Sequence, residues 1–307
     1  MSGGAFLGTT PFAATVLDRL AASDFRPSLV VTLPDRRRGR GRREEPSAVA
    51  ERAGELGLEV LKSEDVNADI DRERIVTATE GVGWASICAF GQLIREPLLS
   101  EAPMLNVHPS LLPKWRGAAP IERSLMAGDR ETGVSVMKLV AGLDSGPVAL
   151  VETTPIGEEE DFGELSKRLA GIGGDLLTRA LDLAVSDSIA WVEQNDSEAT
   201  YAEKVEPSER QLDPTRSAAR CHDLVRALTP HIGAWVGLVD GGRLGVTGSR
   251  LDPSNAPEPG SFVEDSGRLL LGCADFALEL TTVKPEGRSE MDAASYLRGY
   301  GVPSSAT

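Results

Sequence analysis

Two short runs bring together side chains able to perform acyl chemistry in this 307-residue chain. The first is Asn106-Val107-His108. On a strand, residues i and i+2 project from one face, so the carboxamide and the imidazole would point the same way. Pro109 keeps His108 out of the helical region, and Pro113 sets the next turn of Ser110-Leu111-Leu112-Pro113. A loop this stiff loses little entropy when it orders around a ligand. The second run, Gly142-Leu143-Asp144-Ser145-Gly146, holds a carboxylate in a glycine-flanked turn. An amide donor, an imidazole and an acid suit acyl transfer to an amine. One group binds the developing oxyanion, one moves the nucleophile's proton, and one orients or charges the ring. Each residue also has a structural role open to it. A histidine at a strand end can be satisfied internally, an Asp between glycines can bond its own backbone, and Asn106 can cap a loop. His222 falls in a predicted helix and His231 follows a proline, neither at a metal-ligand spacing, and no metal is expected. There is no G-x-S-x-G elbow and no Cys beside a His to support a covalent nucleophile. Residue chemistry alone reaches acyl-type transfer and stops.

These side chains need a scaffold, and the hydrophobic pattern describes one. Strand-like runs at 5–7, 28–32, 58–61, 84–89 and 104–108 alternate with helical patterns at 12–20, 46–56, 70–79 and 118–127. Two further β-type runs, 133–139 and 147–154, precede an amphipathic helix over 162–184. Such alternation predicts an α/β, Rossmann-like domain with a mostly parallel sheet, covered by helices on both faces. Ligands in that class bind beyond the carboxyl ends of strands, where His108 and residues 89–91 fall. There is no G-x-G-x-x-G and no G-K-[ST], so a nucleotide site has little support. The polar stretch 191–207 reads as a linker between a catalytic domain over 1–190 and a C-terminal domain over 208–307. In the latter, a helix at 217–227 and short β-like pieces at 234–239, 243–247, 268–273 and 277–283 fit a small β-barrel or sandwich.

Charge adds a partner to consider. Lys and Arg total 32 against 47 Asp and Glu, a formal net charge of −15, and residues 151–200 alone hold a net −9. Against that background, Arg36, Arg37, Arg38, Arg40, Arg42 and Arg43 crowd into eight positions. Like charges this dense repel, which predicts an exposed flexible loop that is neither helix nor strand. It is either a solvated loop or a phosphate-binding arm, because each guanidinium offers a fork of donors matched to phosphate oxygens. No apolar run approaches the roughly 20 residues needed to cross a bilayer, and the N-terminus does not read as a signal peptide. Three widely spaced cysteines with no C-x-x-C pair suit a reduced, cytoplasmic protein, and nothing demands more than a monomer.

The run from Asn106-Val107-His108-Pro109 through Ser110-Leu111-Leu112-Pro113-Lys114-Trp115-Arg116-Gly117-Ala118-Ala119-Pro120-Ile121 resembles the signature of the folate-dependent formyltransferases. The likeness continues through Glu131-Thr132-Gly133-Val134 and the Asp144 turn. It takes in Gly8-Thr9-Thr10-Pro11 upstream and Thr200-Tyr201-Ala202-Glu203-Lys204 downstream. The proline at 11 comes one place later than in the family's usual Gly-Thr-Pro. Pro109 stands where tRNA-directed members commonly carry glycine. The resemblance implies a Rossmann-like N-domain followed by a smaller OB-like β-barrel domain, in an enzyme that uses 10-formyltetrahydrofolate as formyl donor, with no metal. Asn106, His108 and Asp144 would be its catalytic set, and Ser110, Leu111, Leu112 and Pro113 would line the folate site. The continuation at 115–121 is similar to members whose acceptor is the α-amine of initiator methionyl-tRNA, a step in translation initiation, and implies that the six arginines contact tRNA. A small-amine acceptor, such as a sugar nucleotide or glycinamide ribonucleotide, is the first alternative. A non-catalytic RNA-binding protein is the second.

Overall fold

The structure, a computed structural model, describes residues 3–38 and 43–306. In chain order the first elements are β1 (Ala5–Gly8), α1 (Pro11–Ala21), β2 (Leu29–Thr32), β3 (Arg36–Arg38), β4 (Arg43–Glu45), α2 (Ala48–Glu55) and β5 (Glu59–Lys62). Next come α3 (Asp69–Thr79), β6 (Ala85–Cys88), α4 (Leu98–Glu101), β7 (Met104–His108), β8 (Arg116–Gly117), α5 (Pro120–Ala127), β9 (Glu131–Lys138), β10 (Val148–Pro155) and α6 (Phe162–Val185). The remainder are β11 (Tyr201–Ala202), α7 (Ala218–Leu228), β12 (Ala234–Gly237), β13 (Arg243–Asp252), β14 (Phe262–Asp265), β15 (Arg268–Gly272), β16 (Ala277–Pro285), β17 (Met291–Asp292) and α8 (Ala293–Tyr300).

Seven strands form one sheet in the order β10-β9-β7-β6-β1-β2-β5. The five strands from β7 to β5 run parallel, and β9 joins β7 antiparallel. Every residue of β1, β2 and β6 is buried, as expected of strands covered on both faces. The chain winds one way from β1 to β2 and β5, and the other way through β6 and β7. The switch point therefore lies where the carboxyl ends of β1 and β6 meet. There the Thr9 hydroxyl donates to the Phe90 carbonyl at 2.6 Å. Helix α1 starts at this point for a legible reason. Thr10 is its N-cap and accepts from the Ala13 amide, and Pro11 occupies the first turn, where its missing N–H is harmless. The late proline thus marks a well-formed helix start. Ala13, Val16, Leu17 and Leu20, at helical spacing, form the buried stripe of α1.

The arginine run departs from its expectation. Residues 36–38 and 43–45 pair as an antiparallel hairpin, with Arg36 opposite Glu45 and Arg37 opposite Glu44. Two glutamates, Glu44 and Glu45, follow the run and stand in register with it. Opposite charges directly across an antiparallel pair stabilise it. Arg40 and Arg42 lie outside the described residues.

The C-terminal region carries a six-stranded antiparallel sheet in the order β12-β13-β16-β15-β14, with β17 also paired to β16. Past the end of β12, Val239 N–H donates to the Ser305 carbonyl at 2.9 Å, and before β14 the Gly260 carbonyl accepts from Ala306 N–H at 2.7 Å. Leu244, Val246, Leu269, Leu271, Leu278 and Leu280 fill the interior. Strand β14 and helix α8 were not anticipated. Short pieces among glycines and prolines offer too few periods to read.

The chain divides into two compact units that are not sequential. One comprises Met1–Gly117, Thr132–Thr154 and Ser166–Tyr201, the other Ala118–Glu131, Pro155–Leu165 and Ala202–Thr307. Buried and half-buried arginines of the second unit account for the exchange. Arg123 pairs with Glu209 at 2.6 Å, and Arg226 donates to the carbonyls of Gly157 and Glu160, each at 3.0 Å. Among the described residues no helix is long and apolar enough to cross a membrane.

Candidate active site

Strand β7 carries Asn106 and His108 two residues apart, with Asn106 in register with Ile87 of β6 and Met137 of β9. The Asn106 side chain is partly exposed and has no hydrogen-bonding partner among the described residues. A free carboxamide beside a buried imidazole is a donor waiting for an acceptor. His108 is only 4% exposed. Its Nε2 lies 2.9 Å from the Trp115 carbonyl, which can only accept, so Nε2 carries the proton. Its Nδ1 lies 3.7 Å from Asp144 Oδ2. That is too long for a hydrogen bond. The structure thus brings His108 and Asp144 together at the carboxyl end of β7, with Asn106 two residues before His108 on the same strand.

Asp144 is held from several sides. Its Oδ2 accepts from the Gly117 amide at 2.9 Å, and its backbone sits in the left-handed region at φ 43°. The turn closes because residue 146 lacks a side chain: a Cβ there would stand 1.9 Å from the Lys138 carbonyl. Gly133 plays a similar part in β9, where a Cβ would meet the Glu152 carbonyl at 2.2 Å and Leu111 at 2.5 Å. That vacancy lets Leu111 lie against the strand.

The 110–113 loop is built by hydroxyls. Ser110 is fully buried and donates to the Lys114 carbonyl at 2.6 Å. Ser135 donates to Ser110 O at 2.7 Å and accepts from the Leu112 amide at 3.1 Å. The Ser110 hydroxyl is therefore committed to shaping the loop. Leu111, Leu112 and Pro113 are half-buried and are left to meet a ligand.

Sequence reasoning overlooked the groups that brace this site. Arg116 is 3% exposed and binds Gln194 and Asp196, and Gln194 in turn binds the Asp144 turn. A buried arginine inside an otherwise apolar motif was the available signal. Nothing marked Gln194. Cys88, at the end of β6, is no nucleophile, because full burial pushes its thiol far above the usual range. His222 and His231 lie in the second unit. The first is bonded to Ser249 at 2.9 Å and the second to Glu122 at 3.0 Å.

Two family models match the chain: Formyl transferase over residues 4–181, and Formyl transferase, C-terminal domain, over 204–301. The chain belongs to the formyl transferase family. The family's first match contains all the side chains just described up to Asp144. The formyl transferase fold also recurs among curated relatives and solved structures. Methionyl-tRNA formyltransferase of Ruegeria pomeroyi is 38% identical over 306 residues, with 97% of each chain covered. The protein of that name from Jannaschia sp. is 39% identical, over 97% of this chain and 96% of the relative. HypX from Aquifex aeolicus, solved in complex with tetrahydrofolic acid, has a TM-score of 0.67 at 17% identity. It covers 98% of this chain, which spans about half (48%) of the HypX chain. WlaRD, a sugar 3N-formyl transferase, has a TM-score of 0.65 at 14% identity, covering 94% of this chain and 99% of its own. At these identities the two structures speak for the fold alone.

Proposed function

We propose that this formyl transferase moves the formyl group of 10-formyltetrahydrofolate to the α-amine of the methionine on initiator tRNA. The observation that carries the reading is the match to methionyl-tRNA formyltransferases. It runs through both units, at 36–39% identity over 97% of the chain. The free Asn106 carboxamide next to His108 and Asp144 supports the chemistry.

In this reading the neutral amine attacks the formyl carbon. A C–N bond forms, and the carbonyl π pair moves to oxygen. Asn106 donates to that oxygen. His108 contributes through Nδ1, since Nε2 is committed to Trp115, and the Asp144 carboxylate stands 3.7 Å from that nitrogen. Asp144 takes the proton from the former amine and returns it to the donor nitrogen as the C–N10 bond breaks. The products are N-formylmethionyl-tRNA and tetrahydrofolate. Leu111, Leu112 and Pro113 would hold the folate on a loop kept rigid by Ser110 and Ser135. The arginines of the β3–β4 hairpin would bind phosphates of the tRNA. We further place the protein in the cytoplasm as a monomer; the three cysteines are free and buried, as suits a reducing compartment.

The test is incubation with radiolabelled 10-formyltetrahydrofolate and a mixture of charged tRNAs. Label is expected on the methionyl ester of initiator tRNA. Label on a sugar-nucleotide amine or on glycinamide ribonucleotide alone would overturn the acceptor. Equilibrium sedimentation should return a mass near 32.6 kDa.

A further inference from the structure

Gln194 lies in the polar stretch that reads as a linker, yet both ends of its amide are engaged. Nε2 donates to the Asp144 carbonyl at 2.8 Å and to the Gly146 carbonyl at 2.7 Å. Oε1 accepts from Arg116 Nε at 3.1 Å and Nη2 at 2.9 Å. Carbonyls only accept and a guanidinium only donates, so no flipped amide satisfies these partners. The reach is set by backbone: Val148 and Val192 exchange both N–H···O bonds, at 2.8 and 2.9 Å, which lays residue 194 beside the 142–146 turn. Asp144 needs such support, because a side-chain-bearing residue at φ 43° persists only where its surroundings hold it.

We infer that Gln194, itself oriented by Arg116, is a positioning residue that locks Asp144 in the conformation aiming its carboxylate at His108. The inference rests on the role given to Asp144 in the formyl-transfer reading and adds to it a residue outside the signature run.

Two variants test it. Gln194→Leu keeps the size and loses every bond. Gln194→Glu keeps the acceptor facing Arg116 and loses both donors. Thermal melts of each verify folding. Both are expected to lower kcat by roughly 10–100-fold with KM little changed, the scale of a misplaced catalytic group. The double variant Asp144→Asn/Gln194→Leu should be no slower than Asp144→Asn, because residues acting through one group are not additive. A second readout needs no acceptor. The ring NMR resonances of His108, assigned by their loss in His108→Asn, should shift in Gln194→Leu in the same direction as in Asp144→Asn. Wild-type kcat with unshifted His108 resonances, or fully additive losses in the double variant, would overturn the inference. If no tRNA is formylated by the wild type, the proposed acceptor fails, while the His108 resonances still decide the role of Gln194.

Discussion

Asn106 is partly exposed and, among the described residues, unpartnered, beside a histidine whose two ring nitrogens face a backbone carbonyl and a carboxylate. Such an unmatched donor has little to offer stability and much to offer a developing oxyanion. Asn106→Ala should therefore leave the melting temperature nearly unchanged and lower the single-turnover formyl-transfer rate by about 10²–10³-fold. An unchanged rate in a folded variant would remove Asn106 from the catalytic set. Gly146→Ala should behave differently, since its new Cβ would sit 1.9 Å from the Lys138 carbonyl. The turn must shift, at about 1–3 kcal/mol of stability for overpacking. Asp144 moves with it, so denaturant melts and kinetics should fall together.

Among the elements, the β3–β4 hairpin presents the test of tRNA contact. Arg36 is exposed at its base, opposite Glu45. If Arg36, Arg40 and Arg42 each neutralise a phosphate, replacing all three by Ala should reduce the slope of log affinity against log salt by about 2–3. Filter binding of initiator tRNA across a salt series measures it, and an unchanged slope would exclude the hairpin from the interface. The catalytic rate at saturating tRNA should be untouched, because Arg36 lies on a different element from Asn106, His108 and Asp144. The stretch after α6 also behaves as a structural element. Its Val192 bridge to Val148 and the Gln194 bonds fasten it along the first unit.

For the molecule as a whole, a carboxylate in the second unit sets a response to acid. Asp252 is buried on β13. Its carboxyl is held well below the usual carboxylate range by hydrogen bonds from Ser254 and Asn255, and then by Arg268. A depressed folded-state pKa contributes stability above the unfolded value near 4, and that contribution is lost as pH falls below it. Thermal melts from pH 7 to pH 3 should show the second unit losing stability in acid. Asp252→Asn should lower stability at pH 7 and flatten the acid dependence. An acid limb as steep in the variant as in the wild type would assign the effect to other carboxylates.

Much of this protein follows from local rules that act within a few residues. The period-2 and helical patterns predict the parallel sheet. Thr10 and Pro11 start α1 by capping chemistry, and the i, i+2 spacing of Asn106 and His108 puts both on one side of β7. The Asp144 turn is visible in its two glycines. What the sequence could not settle depends on residues far apart in the chain meeting in space. The Arg116–Gln194 bond crosses 78 positions, and the exchange of 118–131 and 155–165 into the second unit depends on arginines finding partners at long range. The hairpin became legible only once Glu44 and Glu45 were seen across from the arginines. Periodicity reports which face of an element is buried and is silent on which distant polar group will satisfy a buried one. Only the tertiary structure chose the partner that holds Asp144 in place.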